Sequence, residues 1–182
     1  MCCNGVMFHT VELQPTDSPR QIAALGVKLK HKAGKICIQQ PCPAFVSKVV
    51  AGENSIRKGE PLSSLDSYCS IYTARPERCQ LFECRQLSGV KTGAIPLGDA
   101  MERIRIAREL VAKESQLFEQ LGETSFAKPR GKRFNNIMGD LPGEETPPEV
   151  LALRAALVAI TEELDALLDE SFRVKRVEIE EE

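Results

Sequence analysis

The sequence predicts an α+β fold: a small, irregular cysteine-cluster domain over residues 1–90, then a C-terminal antiparallel helical hairpin over residues 91–182. Three observations predict it. All seven cysteines lie in the first half, at Cys2, Cys3, Cys37, Cys42, Cys69, Cys79 and Cys84. That half also carries short runs of alternating apolar and polar residues broken by glycine and proline, the pattern of strands and turns. The second half carries two long runs whose apolar residues return every three or four positions, the pattern of helices.

Taken in order, Val6 to Leu13 partly alternates and reads as a strand. Ser18-Pro19-Arg20-Gln21 supplies an N-cap, a proline at the first helical position and a capping-box glutamine, and Gly26 is the expected stop. Val27-Lys28-Leu29-Lys30 and Lys35-Ile36-Cys37-Ile38 alternate on either side of Ala33-Gly34, which reads as a hairpin turn. Pro41 and Pro43 interrupt regular structure and predict an extended path. Ala51 to Ser67, rich in Gly, Ser, Asn and charge, reads as an inserted loop.

Leu97, Met101, Ile104, Ala107, Leu110 and their successors to Leu121 predict a helix that stops at Gly122. A loop is expected from Glu123 to Pro148, with a basic stretch at Lys128 to Arg133 that reads as solvated. A second helix is expected from Pro148 to Ser171, where Leu153, Leu157, Ile160, Leu164 and Leu167 step close to a heptad. The acidic tail from Arg173 to Glu182 reads as a frayed end or an edge strand.

Composition narrows the function classes. At 182 residues the chain has room for one domain, or one small domain with an appendage. An apolar content of 42% supports an ordinary core. A net charge of −2 gives no general attraction to nucleic acid, so no nucleic-acid partner is expected. No run approaches the roughly 18 apolar residues of a membrane span, so no membrane partner is expected. No basic segment followed by an apolar one opens the chain, which makes the cytoplasm the expected address.

In a reducing cytoplasm, clustered cysteines more often hold a metal than form disulfides. Thiolates are soft ligands, suited to zinc, copper(I) and iron–sulfur clusters. A closed zinc site and a common iron–sulfur cluster each take four such ligands. Seven cysteines exceed that number, which favours an iron–sulfur cluster with spare thiols, while zinc remains open. Pro76 can open a helix, placing Cys79 in its first turn near the positive end of the dipole. Cys84 would lie about 140° round a continuous helix from Cys79. The two reach one metal only if the helix breaks near Phe82. Cys2 and Cys3 are adjacent, and in an extended chain they would point opposite ways.

Three blocks carry a family resemblance. They are Cys2-Cys3-Asn4-Gly5-Val6-Met7-Phe8, then Gln40-Pro41-Cys42-Pro43-Ala44, then Cys69-Ser70-Ile71-Tyr72 with Arg75-Pro76, Cys79, Phe82 and Cys84. Together they resemble the YkgJ-type cysteine-cluster family, a mostly bacterial group described as zinc- or iron-chelating. The resemblance spans roughly Met1 to Val90. It implies Cys3, Cys42, Cys69, Cys79 and Cys84 as metal ligands, with Cys2 next and Cys37 matching less clearly. It also implies a further Cys-x-x-Cys upstream of the vicinal pair, which this sequence does not contain, and a shorter stretch between Cys42 and Cys69. It implies no settled reaction.

Other residues have plainer readings. Cys37 is balanced between strand core and ligand. His9 could reach the cluster but reads first as solvated, and His31 among its lysines as exposed. Tyr72 and Phe82 are expected to pack around the site. Arg75 either bonds loop carbonyls or an acid, or offsets thiolate charge. No Gly-rich phosphate loop, nucleophile elbow or other catalytic set appears. The expected function is a metal-binding protein holding zinc or an iron–sulfur cluster. Two alternatives stand beside it. One is an oxidoreductase or electron-transfer protein using the cluster or a thiol pair. The other is an interaction module with a purely structural metal, its protein partner docking on the C-terminal helices.

Overall fold

A computed structural model describes residues 2–47, 67–125, 127–139, 143 and 146–174. The fold is mixed helix and antiparallel sheet, as the α+β expectation requires. The chain divides into two compact units. The first comprises Met1–Leu81 and Phe126–Pro129, the second Phe82–Ser125 and Arg130–Glu182. The inserted loop read over Ala51 to Ser67 lies outside the described residues except at Ser67, and so does the tail beyond Val174.

In the first unit, β1 (Thr10–Glu12), β2 (Leu29–Lys32) and β3 (Lys35–Gln39) form an antiparallel sheet in the order β1-β3-β2. Lys32 faces Lys35 across a two-residue turn. Ala33 and Gly34 both hold positive φ there, 48° and 73°, which is what a tight hairpin of this twist demands. The first strand covers only part of the expected Val6 to Leu13, because the chain bends at residues 6, 7 and 9 before it extends. Helix α1 (Pro19–Ala24) begins where expected, with Ser18 Oγ accepting from the Gln21 N–H at 3.4 Å, and Gly26 follows it at φ 84°.

A second, two-stranded sheet pairs β4 (Phe45–Ser47) with β5 (Ser67–Cys69). A 3₁₀ turn over Tyr72–Ala74 then leads into α2 (Glu77–Leu81). The core of this unit is Leu13, Ile22, Val27, Ile38, Ala44 and Ile71, with Cys42 and Cys69 packed against it.

The second unit is helical: α3 (Arg85–Thr92), α4 (Leu97–Gln120), α5 (Arg130–Gly139) and α6 (Pro148–Ser171). Both long helices stop where their residues indicated. Gly122, at φ 82°, closes α4, and the Glu123 N–H reaches back to the Phe118 carbonyl at 2.8 Å. The helices α4 and α6 pack side by side and run in opposite directions. Arg103 near the start of α4 donates to Ser171 Oγ at the end of α6, whereas Thr161 bonds Glu114 further along. Phe118, Ile137 and Leu157 form a buried cluster from α4, α5 and α6.

The basic stretch Lys128 to Arg133 departs from its solvated-loop reading, since Arg130 opens α5. Glu114, only 2% exposed, receives Arg130 Nε at 2.8 and 2.7 Å on its two oxygens and Thr161 Oγ1 at 2.8 Å. Arg130 also donates to Asp165 at 2.9 Å and to the Thr161 carbonyl at 3.2 Å. A buried carboxylate requires this degree of pairing, because its desolvation is otherwise uncompensated. Arg133 lies 4.2 Å over the Phe118 ring and donates to the Glu123 carbonyl.

Glu114→Ala should therefore leave the Arg130 charge partly unpaired and lower stability by about 3 kcal/mol in urea unfolding. An effect below about 1 kcal/mol would contradict this account of the network. Partial burial pushes the Asp165 carboxyl up, but hydrogen bonds and charge from Arg130 and Arg173 outweigh it and hold the group below its ordinary 3.8. Its stabilising contribution is complete above that value and is lost as pH falls through the lower folded value. Stability of Asp165→Asn should decline less than that of the unaltered chain on acidification below pH 3.8, measured by unfolding midpoints across that range.

Candidate metal centre

Four cysteines from four separate segments of the first unit act on one another electrostatically. Cys3 sits in the N-terminal turns, Cys42 just beyond β3, Cys69 at the end of β5 and Cys79 in α2. Backbone bonds tie three of these segments directly. The Cys42 N–H donates to the Cys3 carbonyl at 2.8 Å, and the Phe45 N–H to the Cys42 carbonyl at 3.0 Å. Phe45 faces Cys69 across the β4–β5 ladder, and Ser70 bonds the Ala44 carbonyl through both its N–H (2.8 Å) and its hydroxyl (3.2 Å).

Gly5 makes the first contact sterically feasible. It holds φ +82°, and a Cβ added there would meet Pro41 N at 3.3 Å. Only glycine supplies that backbone shape together with so close an approach.

The fourth thiol depends on where α2 is fastened. Pro76 opens the helix, its carbonyl accepting from the Cys79 N–H at 2.8 Å and the Gln80 N–H at 3.1 Å. Proline offers no side-chain acceptor for the exposed N–H groups of a helix start. Asp17, 60 positions away in sequence, supplies one: its Oδ1 accepts from the Glu77 N–H at 2.9 Å while Oδ2 holds the Gln14 N–H at 2.7 Å. Thr16 Oγ1 bonds the Glu77 carboxylate in the same loop. Asp17 and Gly5 are site-forming residues that the sequence reading missed. The Pro-Thr-Asp run before Ser18 was the available signal for Asp17.

The electrostatics record the convergence. Burial is the leading cause that pushes the Cys3, Cys42 and Cys79 thiols above their ordinary value, and neighbouring thiols add to it. Cys2, Cys42 and Cys69 raise Cys3. Cys69 raises Cys42. Cys3, Cys42 and Cys69 help push Cys79 to about 12, against a smaller opposing pull from Arg75. Like charges disfavour one another, so charge on one of these sulfurs would oppose charge on its neighbours. The N-terminal helix position of Cys79, expected to favour its thiolate, is outweighed by burial and by its sulfur neighbours.

The other expected site residues are distributed differently. Cys2 adjoins Cys3 within the turns, so the alternation of an extended chain does not separate them. Cys37 is 5% exposed on β3, on the face opposite Ile36 and Ile38, in a strand-core position. Cys84 directly precedes α3 in the second unit. The helix break expected between Cys79 and Cys84 is present, since α2 ends at Leu81 and α3 starts at Arg85. His9 and His31 are exposed. Tyr72 is 63% exposed and does not pack in the core; instead Arg75 lies 3.8 Å over its ring and donates to its carbonyl at 2.9 Å. Arg75 thus bonds a carbonyl, one of the roles considered for it, and its charge opposes the upward push on the Cys79 thiol.

All seven cysteines carry thiols and none forms a disulfide. Among the described residues, no three His, Cys, Asp or Glu side chains already stand in a metal-holding arrangement. The donor chemistry of these four cysteines nevertheless suits a soft metal, since every donor is sulfur. No family model, no curated protein and no solved structure matches this chain.

If the convergence is correct, a short bis-alkylating reagent should bridge Cys3 with Cys42 or Cys69 in the folded protein, and mass mapping should find the bridge lost after denaturation. Gly5→Ala should lose it as well. Bridging that is as efficient in the denatured chain would contradict the geometry.

Proposed function

We propose that the protein is a thiolate metal-binding protein, holding zinc or an iron–sulfur cluster through Cys3, Cys42, Cys69 and Cys79. The observation that supports this reading is the mutual crowding of these four thiols from segments up to 76 positions apart. Ionised sulfurs would oppose one another here, so without a cation these thiols stay protonated. A bound metal removes that penalty and displaces the thiol protons. Four thiolates at about 2.3 Å from one ion would make a closed site. The resemblance to the YkgJ-type family points to the same residues, with Cys84 as a further ligand and Cys2 next.

Zinc in such a site would hold the first unit together, and an iron–sulfur cluster would add one-electron transfer. The surplus of cysteines favours the cluster. The electron-transfer alternative draws on the exposed Tyr72–Arg75 pair close to Cys69 and Cys79 in sequence, where a redox partner could approach. Unbridged thiols suit a reducing cytoplasm. No described helix is long and apolar enough to cross a membrane. The structural-metal alternative, with the long helices as an antiparallel hairpin for a protein partner, draws on the exposed Leu97 and Met101 of α4.

Protein purified without oxygen should contain stoichiometric zinc, or iron with visible absorbance. Replacing Cys3, Cys42, Cys69 or Cys79 singly by serine should abolish stoichiometric binding, whereas Cys37→Ser should retain it. A chelator should loosen the first unit and leave the second folded. Metal-free protein from cells supplied with zinc and iron, still unable to take up either metal on reconstitution, would overturn the reading.

A further inference from the structure

Cys2 is not needed to complete a set of four sulfurs, yet its thiol is not idle. Cys2 Sγ lies 3.8 Å from Met7 Sδ. The turn that joins them is a built one. Asn4 Oδ1 accepts from the Val6 N–H at 3.3 Å, and Gly5 takes its positive φ between them. Met7 is buried, and Cys2 is half-buried at the edge of the cluster.

Two sulfurs bound to one metal at about 2.3 Å stand about 3.8 to 4.6 Å apart, as the angle between them opens from tetrahedral to linear. The observed pair already meets the near end of that range. A thioether and a thiolate together are soft donors of the kind that select Cu(I), whereas zinc favours thiolate, imidazole and carboxylate. Charge gives the same ranking. One thiolate neutralises one Cu(I), leaving a neutral unit beside the buried Met7. A divalent ion on the same two donors would leave a net positive charge, which a partly dry site penalises.

We propose that Cys2 and Met7 form a seat for Cu(I) at the edge of the cysteine cluster. Cys3, adjacent in sequence, is the donor that this seat can share with the four-thiol set. Binding breaks the Cys2 S–H bond, releases one proton to solvent and forms two copper–sulfur bonds, with no change in oxidation state.

The test is X-ray absorption at the copper edge of selenomethionine-labelled protein given one equivalent of Cu(I) without oxygen. A copper–selenium shell is expected, and labelled Met7→Leu should lose it. A shell of sulfur alone in the unaltered sequence, or a selenium shell that survives Met7→Leu, would overturn the proposal. The first of these measurements needs no substitution, so a folding defect in the variant cannot obscure it. In competition with a Cu(I) chelator, Met7→Leu should bind about tenfold more weakly or worse, and equal binding would count against the seat. Zinc or iron content of the same variant reports on the four thiols, so failure of the copper seat is distinguishable from failure of the metal-binding reading.

Discussion

Fastening of the cysteine-bearing segments to one another by backbone and capping bonds is the constraint on which the first unit depends. Each thiol arrives from a different segment, and each segment is fastened by backbone. The Cys42 N–H reaches Cys3, the β4–β5 ladder carries Cys69, and Asp17 secures the start of the helix that carries Cys79. The core beneath, built on Ile38, Ala44 and Ile71, supports the same loops. A small unit with so few large side chains gains from a cross-link among its loops, and small domains often rely on metal or disulfide for it.

The second unit rests on a different interaction. A buried carboxylate on α4 would destabilise a helical assembly by itself. Arg130 at the start of α5 and Thr161 on α6 satisfy it, and Asp165 shares the guanidinium. This polar junction fixes which faces of the three helices meet, a task that repeated leucines perform poorly because they slide past one another at little cost. Phe118, Ile137 and Leu157 then fill the space beside it.

The long helices were legible because their periodicity runs for about six turns and their ends carry local signals, Gly122 for one and Pro148 for the other. The Ala33-Gly34 hairpin and the Ser18 cap were legible for the same reason: each is decided within four residues. Two shorter helices were not. Arg85–Thr92 contains serine, glycine, valine and threonine, and Arg130–Gly139 contains two glycines and two asparagines. Such segments form helices because they pack. Gln86 is buried against the Ser171 carbonyl, and Arg133 and Ile137 are buried in turn. The strand expected from Val6 begins only at Thr10, because the Asn4 side chain takes the Val6 N–H and the chain bends there more strongly than weak alternation extends it.

The residue types by themselves determined the donor chemistry, the α+β character and the long helical segments, because these follow from side-chain softness and from local periodicity. Only the tertiary structure decided which sulfurs meet. It couples Cys79 electrostatically to Cys3, Cys42 and Cys69, leaves Cys37 on a strand face, sets Cys84 at the head of a helix in the other unit and puts Cys2 against Met7. Spacing along a chain limits the reach of each side chain, but the meeting of distant segments is fixed by ladders, capping bonds and a close glycine approach, each of which has a partner far away in sequence.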